Sequence, residues 1–140
     1  MKTDLLPRLY SREEALLLSP LQLAYIGDSV HALLVRGVLM GRDLPVKAMH
    51  RLSTAAVNAV SQCRAVSCLL PLLTEEEAAM YRRGRNAHAH HAGPRSASTT
   101  EYAAATGLET LLGFLYLTGQ LDRLSELTPY LCPEEENANA

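Results

Sequence analysis

Two carboxylates, Asp28 and Glu109, stand alone within long apolar stretches of this 140-residue sequence. Each lies in the middle of a predicted helix, where neither helix capping nor the helix dipole explains an acid. Burying an ionised carboxylate without a partner is strongly unfavourable. Each acid therefore requires a cation, a hydrogen-bond network or a water-filled cleft.

Packing the two apolar helices together would bring both carboxylates into one site, where they would repel each other. A hard divalent cation would relieve that repulsion, and carboxylate oxygens with waters are the ligands that Mg²⁺ and Mn²⁺ prefer. We therefore predict that Asp28 and Glu109 are catalytic and bind Mg²⁺, for which Mn²⁺ can substitute. The structural alternative pairs each acid with a basic group such as Arg36 or His31.

Neighbouring residues add to this prediction. Gly27 directly precedes Asp28, and Gly107 lies two residues before Glu109. Glycine inside a helix costs about 0.5–1 kcal/mol relative to alanine, so its presence indicates the close approach of another backbone or a ligand. Tyr25 and Thr106 lie about one turn from the acids. We predict that they orient the acids through hydrogen bonds; simple packing is the alternative.

The elements that must position these residues are helical, because no alternating strand pattern bounded by a hairpin turn occurs. We predict an all-α helical bundle with one domain at 1–132 and a flexible acidic tail at 133–140. Capping residues, prolines and glycines predict helices at 20–41, 45–70, 74–83, 99–117 and 121–130. The stretch Gly84 to Ser98 is predicted to be a loop. The first helix is apolar on almost every side, which is typical of the buried centre of a bundle.

Charge is unevenly distributed along the chain. The formal net charge is −2, yet residues 78–100 contain no acid and four arginines. We predict RNA contacts from this basic segment, because arginines recognise phosphates; its candidates are Arg82, Arg83, Arg85, Asn86, His88 and Arg95. A smaller cationic patch comprises Lys47, His50 and Arg51 on the second helix. A solvated surface is the alternative for both. The role of His88, His90 and His91 stays open, since a zinc site there lacks a fourth ligand at a recognised spacing.

Other features exclude several classes of protein. The three cysteines show no CxxC spacing, which predicts reduced thiols rather than a disulfide framework or a zinc site. The N-terminus carries charges and lacks the apolar core of a secretory signal. We find no apolar run of the roughly 20 residues that span a bilayer. The sequence therefore predicts a soluble, cytoplasmic protein.

Two segments resemble the ribonuclease III family. Residues 23–30, LAYIGDSV, resemble its signature helix, and residues 105–117, ATGLETLLGFLYL, resemble its second metal-binding helix. The closer likeness is to the Mini-ribonuclease III branch, a catalytic domain without an appended double-stranded-RNA-binding domain. The sequence RGRNA at 83–87 and Tyr102 ahead of the second segment support this branch. The likeness runs from about residue 19 to residue 117.

The resemblance implies a ribonuclease III-type endonuclease domain, an all-α homodimer, and hydrolysis of double-stranded RNA in the maturation of precursor 23S ribosomal RNA. By position, Asp28 and Glu109 match the family's metal-binding acids. Leu21, Ala24 and Thr106 stand where full-length ribonuclease III has two glutamates and an aspartate. The Mini branch shows the same reduction, so the number of metal ions is open and catalytic activity is still implied.

The main alternative is a non-catalytic helical module that binds RNA or the ribosome on the same scaffold. It would place Asp28 in a salt bridge and show no metal-dependent cleavage. Di-iron and HD-type hydrolases are disfavoured because their motifs are missing. For the homodimer, the sequence predicts an interface that uses surplus apolar residues around Leu33, Leu34 and Val38.

Overall fold

Seven α-helices, and no strand, form the part of the chain that the computed structural model describes, residues 8–91 and 97–132, with side chains at 8–87 and 99–132. In order they are α1 (Arg12–Leu17), α2 (Pro20–Met40), α3 (Val46–Ala56), α4 (Ala59–Leu69), α5 (Glu75–His91), α6 (Ala97–Leu117) and α7 (Leu121–Leu127). Short 3₁₀ turns follow α4 and α7, at Leu70–Leu72 and Thr128–Tyr130. The predicted all-α class is confirmed, whereas the predicted tail at 133–140 lies outside the described residues.

Reciprocal hydrogen bonds begin two of the predicted helices. At α2 the Ser19 hydroxyl accepts from the Gln22 amide at 3.1 Å, and the Gln22 side chain accepts from the Ser19 amide at 2.9 Å. Thr74 and Glu77 form the same box at α5. Both starts are confirmed, because such boxes satisfy amides that the helix itself leaves unpaired. Helix α1, which begins with a similar box at Ser11, was not predicted.

The predicted helix at 45–70 is wrong as a single element. It is divided into α3 and α4 by a break at Val57 and Asn58. The Asn58 side chain accepts from the Ser61 amide at 2.8 Å and begins α4, as asparagine does well at this position. The Ser61 hydroxyl also donates to the Ala55 carbonyl at 2.7 Å. The break lets α4 pack against α6 independently of α3.

The predicted loop at Gly84 to Ser98 is also wrong where the structure describes it. Helix α5 continues through Gly84 to His91, and α6 already begins at Ala97. A methyl group on Gly84 would lie 2.1 Å from the Thr110 hydroxyl and 2.9 Å from the Gly107 α-carbon. Gly84 is therefore a packing residue, since only a bare backbone allows α5 and α6 to approach this closely. Tertiary packing here overrides the low helix propensity of glycine.

Helix α6 is the centre of the fold and packs against α2, α4 and α5. Its fully buried large apolar side chains are Leu108, Leu111, Leu112, Phe114 and Leu115. Helix α2, predicted to be the buried centre, has one face in solvent, with Tyr25, Leu33 and Met40 exposed. Among the described residues α2 is long and apolar enough to span a bilayer, so the prediction that no run reaches this length is wrong. Core helices of soluble proteins pass the same test.

A buried ion pair fixes α7 to the start of α5. The Arg123 guanidinium donates to both oxygens of the nearly inaccessible Glu77 carboxylate, at 2.8 and 2.9 Å. It also donates to the Leu72 carbonyl at 2.8 Å and to Glu126 at 2.8 Å. The hydrogen bonds from Arg123 and Thr74 hold the pKa of Glu77 below its usual value, although burial acts in the opposite direction more strongly than any one of them.

Candidate metal centre and nucleic-acid interface

The crossing of α2 and α6 forms the candidate site. A methyl group on Gly27 would lie 1.7 Å from the carbonyl oxygen of Glu109, and one on Gly113 would lie 2.0 Å from the carbonyl oxygen of Leu23. The two backbones therefore touch, because neither glycine carries a side chain to separate them. The prediction that Gly27 and Gly107 mark close approaches is confirmed; Gly107 contacts Tyr81 of α5.

The structure brings the two predicted acids together. Asp28 lies on α2 and Glu109 on α6, and Asp28 is near enough to Glu109 to raise the pKa of its carboxyl group. Burial raises the pKa of Glu109 to about 8, and the hydrogen bond and charge of Asp28 add to this rise. Two carboxylates in contact cannot both ionise without strong repulsion. In the absence of a cation, Glu109 therefore holds a proton at neutral pH.

No lysine, arginine or histidine forms an ion pair with either acid among the residues that the structure describes. This finding argues against the structural alternative, in which Arg36 or His31 would neutralise them. Asp28 is exposed and Glu109 is partly buried, so the expectation that both are buried is wrong for Asp28, whose side of α2 faces solvent. No cluster of three or more acids, histidines or cysteines suited to a metal occurs in the described part.

Two polar residues near the acids were not predicted as part of a site. Gln62 of α4 and His31 of α2 are both buried, and the Gln62 amide nitrogen lies 3.5 Å from His31 Nδ1. Gln62 also acts to lower the pKa of Glu109, against the larger effects of burial and Asp28 that raise it. Three helices thus converge on one cluster of Asp28, His31, Gln62 and Glu109. The sequence signal available was one polar residue within the apolar face of α4.

Tyr25 and Thr106 are the residues that we predicted to orient the two acids. The Tyr25 side chain is 84% exposed on the outer face of α2. The Thr106 hydroxyl donates to the Tyr102 carbonyl of the preceding turn at 3.0 Å. Their predicted role at the acids stays a prediction.

The basic segment on α5 divides into exposed and engaged side chains. Arg82, Arg85 and Asn86 are exposed, and the Arg85 guanidinium lies 5.7 Å from the centre of the Tyr81 ring. Arg83 is partly buried and donates to the Leu18 carbonyl at 3.2 Å. Arg83 therefore joins α5 to the turn before α2, so its guanidinium is only partly available to a ligand.

The remaining residues that we predicted to contact RNA either lie on α3 or have side chains outside the described part of the chain. Lys47, His50 and Arg51 of α3 are all exposed and form a cationic surface at the start of that helix. The side chain of His88 and the whole of Arg95 lie outside the described residues, as do the side chains of His90 and His91.

Comparison with known proteins agrees with the geometry. The ribonuclease III domain model matches residues 21–120. Mini-ribonuclease 3 of Symbiobacterium thermophilum is 48% identical over 113 residues, which cover 80% of this chain and 86% of that protein. Mini-ribonuclease 3 of Enterococcus faecalis is 42% identical over 114 residues, covering 79% of this chain and 85% of that protein. A crystal structure of a protein from Fusobacterium nucleatum is similar with a TM-score of 0.68 at 26% identity, covering 79% of this chain and 88% of that one.

The matched region contains α6, all of α2 except its first residue, and both acids of the candidate centre. The resemblance noted in the sequence is thereby confirmed over most of the chain. The chain belongs to the ribonuclease III family of endoribonucleases, which cut double-stranded RNA.

Proposed function

We propose that this endoribonuclease depends on Mg²⁺ held by Asp28 and Glu109. The observation that carries the proposal is the close α2–α6 crossing, where the backbone next to Asp28 meets the Glu109 carbonyl and no cation is ion-paired with either acid among the described residues. The packing of α2 against α6, which is close enough for the Gly27 backbone to meet the Glu109 carbonyl, holds the two acids near each other. The repulsion between the two carboxylates is therefore relieved either by a proton on one of them or by a bound cation.

The donor chemistry fits a hard divalent ion. Two carboxylates, one of them open to solvent, offer oxygen ligands and leave room for waters and a phosphate, as Mg²⁺ sites commonly do; Mn²⁺ takes similar ligands. When bound, such an ion lowers the pKa of a water and stabilises charge on the phosphate under attack. Asp28 and Glu109 would hold the ion and fix its orientation, and Glu109 must be ionised for both tasks. The nucleophile that we propose is water.

We propose that exposed cations on α3 and α5 contact the RNA backbone. Lys47, His50 and Arg51 extend from one helix, while Arg82 and Arg85 extend from the other. Positive side chains that meet phosphates and 2′-hydroxyls suit recognition of an A-form duplex by shape. Asn86 adds a neutral donor beside them, and His88 and Arg95 belong to the same proposal. Because Arg83 is engaged with Leu18, it contributes mainly to the fold.

We propose that the protein acts as a homodimer. Helix α2 exposes Leu21, Tyr25, Leu33 and Met40, and a groove of about 510 Å³ beside it is lined largely by apolar groups, including Ile26. Large apolar side chains on one outer face are typical of interaction surfaces. A second copy would cover them and double the cationic surface. Sedimentation at micromolar concentration should give twice the chain mass; a monomer would exclude this arrangement.

The natural substrate that we propose is precursor 23S ribosomal RNA, processed in the cytoplasm. Support comes from the family and from similarity to proteins named Mini-ribonuclease 3. A cytoplasmic location agrees with the placement of α2, the apolar helix long enough for a membrane, against α6 in the core. Cleavage of precursor stems in preference to unrelated duplexes of equal length would support this substrate, whereas equal rates would contradict it.

The decisive experiment is cleavage of an end-labelled RNA duplex by the wild-type protein and Asp28→Asn, with Mg²⁺ or with EDTA. We expect cutting only by the wild type with Mg²⁺, while both proteins bind the duplex. Asp122→Asn is the matched control, because Asp122 is an exposed acid on α7. If no duplex, including precursor stems, is cut, a non-catalytic RNA- or ribosome-binding module becomes the better interpretation.

A further inference from the structure

The Arg36 side chain on α2 has no acidic partner in the part of the chain that the structure describes. It is exposed, and none of the ion pairs among the described residues includes it. Residues 29–74, which contain Arg36, hold five lysines and arginines but a single acid, Asp43. The charge of Arg36 is therefore available to an anion from outside the chain.

A small cavity between α2 and α3 places Arg36 beside the cations of α3. Its volume is about 150 Å³, and Arg36 and His50 line it together with apolar side chains and Ser53. No acid belongs to this wall. Arginine commonly covers apolar surface with its stem and keeps the guanidinium in water. Arg36 thus extends the cationic surface of α3 onto α2.

Arg36 also shares one side of α2 with Asp28. The two residues are eight positions apart, which places them on the same helix face two turns from each other, and both are exposed. At 1.5 Å per residue their separation along the helix axis is about 12 Å. A strand of a duplex advances roughly 3 Å along its axis for each phosphate. A strand bound at Arg36 therefore reaches Asp28 within a few nucleotides.

We propose that Arg36 binds a backbone phosphate of the double-stranded RNA, a few nucleotides from the bond that is cut, and so joins the cationic surface of α3 to Asp28. This inference rests on the proposed function, in which Asp28 lies at the point of cleavage. The planar guanidinium suits a phosphate, since its N–H groups match two oxygens at once. Such a contact positions the duplex without reading its sequence. It acts equally before and during the reaction, so it lowers KM and leaves kcat unchanged.

The position of Arg36 differs from that of the groove proposed for a second copy. That groove lies beside the first half of α2, with Leu21, Tyr25 and Ile26 in its wall, whereas Arg36 lies in the second half of the helix beside α3. A partner chain that also covered the exposed Met40 would cover Arg36. In that arrangement, loss of Arg36 would change the mass of the dimer and leave the salt dependence of RNA binding unchanged.

The test compares the wild type with Arg36→Gln, which removes the charge and keeps most of the stem that covers the cavity. Duplex binding is measured in EDTA between 50 and 200 mM salt. One phosphate contact contributes about 0.9 to the slope of log K against log salt. The affinity advantage of the wild type should therefore shrink about 3.5-fold over this range. With Mg²⁺ at low salt, KM for cleavage should rise in Arg36→Gln while kcat is unchanged.

Two variants are the controls. Arg36→Lys keeps the positive charge, and lysine also binds phosphate, so this variant should retain most of the slope and of the KM. Arg64→Gln removes the same charge from an exposed side chain of α4 that lines a different cavity, beside Tyr130, and its slope should match that of the wild type. A slope that falls equally in Arg36→Gln and Arg64→Gln would reflect net charge alone and would overturn the contact.

The possible failures are distinguishable. An unchanged slope and KM in a folded Arg36→Gln protein would overturn the inference and leave the proposed function intact, as would a fall in its sedimentation mass to that of one chain with the slope unchanged. If Arg36→Gln does not fold, modification of wild-type Arg36 by phenylglyoxal decides: protection by a duplex supports the contact, and equal modification with and without RNA overturns it. A wild-type protein that binds a duplex but cuts none would overturn the proposed function, whereas a reduced slope in Arg36→Gln would still support the phosphate contact.

Discussion

Replacement of Glu109 by glutamine should stabilise the metal-free protein at alkaline pH. Burial and the neighbouring Asp28 raise the pKa of Glu109 from 4.5 to about 8. A folded-state pKa above the unfolded one means that folding binds a proton, so the free energy of unfolding falls as the pH rises from about 4.5 to about 8. Glu109→Gln has no such proton and should not show this loss.

The size of the effect follows from the difference in pKa. A difference of about 3.5 corresponds to about 5 kcal/mol at 1.36 kcal/mol for each pKa unit. Solvent around a partly exposed carboxyl group screens the charge, and about half of that value is a reasonable expectation. At pH 8 in EDTA, Glu109→Gln should therefore be more stable by about 2 kcal/mol. For a chain of this size that is a rise in Tm of about 6 °C.

The assay is thermal unfolding of the wild type and Glu109→Gln between pH 5 and pH 8.5, in EDTA and in Mg²⁺. The two Tm curves should nearly coincide at pH 5 and diverge towards pH 8. Mg²⁺ should raise the wild-type Tm, because a ligand that binds only the folded state stabilises it, and should raise that of the variant far less. Parallel curves in EDTA would refute the charge argument, and an equal rise in Mg²⁺ would refute Glu109 as a ligand.

Three further predictions concern packing, the buried ion pair and RNA. Gly27→Ala should destabilise the protein by about 2–3 kcal/mol in urea unfolding, because the added methyl group would overlap the Glu109 carbonyl. The control Gly37→Ala, which has open space around it, should instead stabilise the protein by about 0.5–1 kcal/mol. Equal effects of the two substitutions would contradict the close crossing of α2 and α6. Arg123→Met should lower the free energy of unfolding by about 3 kcal/mol, because it leaves the buried Glu77 carboxylate without its cation. A decrease of less than about 1 kcal/mol would show that the ion pair is dispensable. Arg85→Ala should weaken duplex binding and reduce the slope of log K against log salt by about one, without moving the Mg²⁺ titration; an unchanged slope would remove Arg85 from the interface.

The helix starts could be predicted because their causes are local. At Ser19 and Thr74, the hydroxyl and a side chain three residues later bond each other's backbone amides, so the pattern alone is sufficient. The pair Asp28 and Glu109 could be predicted for a similar reason: an acid alone in an apolar helix needs an explanation wherever that helix packs.

Two of the misses come from contacts that are distant along the chain. Gly84 reads as the start of a loop, yet it continues α5 because Thr110 and Gly107 of α6 require a residue without a side chain there. Gln62 was not singled out from the sequence, because one polar residue in a helix is most often on its surface. It is nevertheless buried, because α4, which begins after the Asn58 cap, packs against α6. For Gly84 and Gln62, the adjacent residues encode neither the helix that each one contacts nor the face of its own helix that becomes buried.

The close α2–α6 crossing couples metal binding to pH. Because the Gly27 backbone touches the Glu109 carbonyl, the two carboxyl groups cannot move apart without loss of the core packing around α6. A proton on Glu109 relieves the repulsion below about pH 8, and a cation must displace that proton. The Mg²⁺ concentration for half of the thermal effect should therefore fall about tenfold for each unit of pH from 6 to 8 and then level off. A Mg²⁺ requirement that is constant over this range would mean that the proton and the cation do not compete for the same carboxylate.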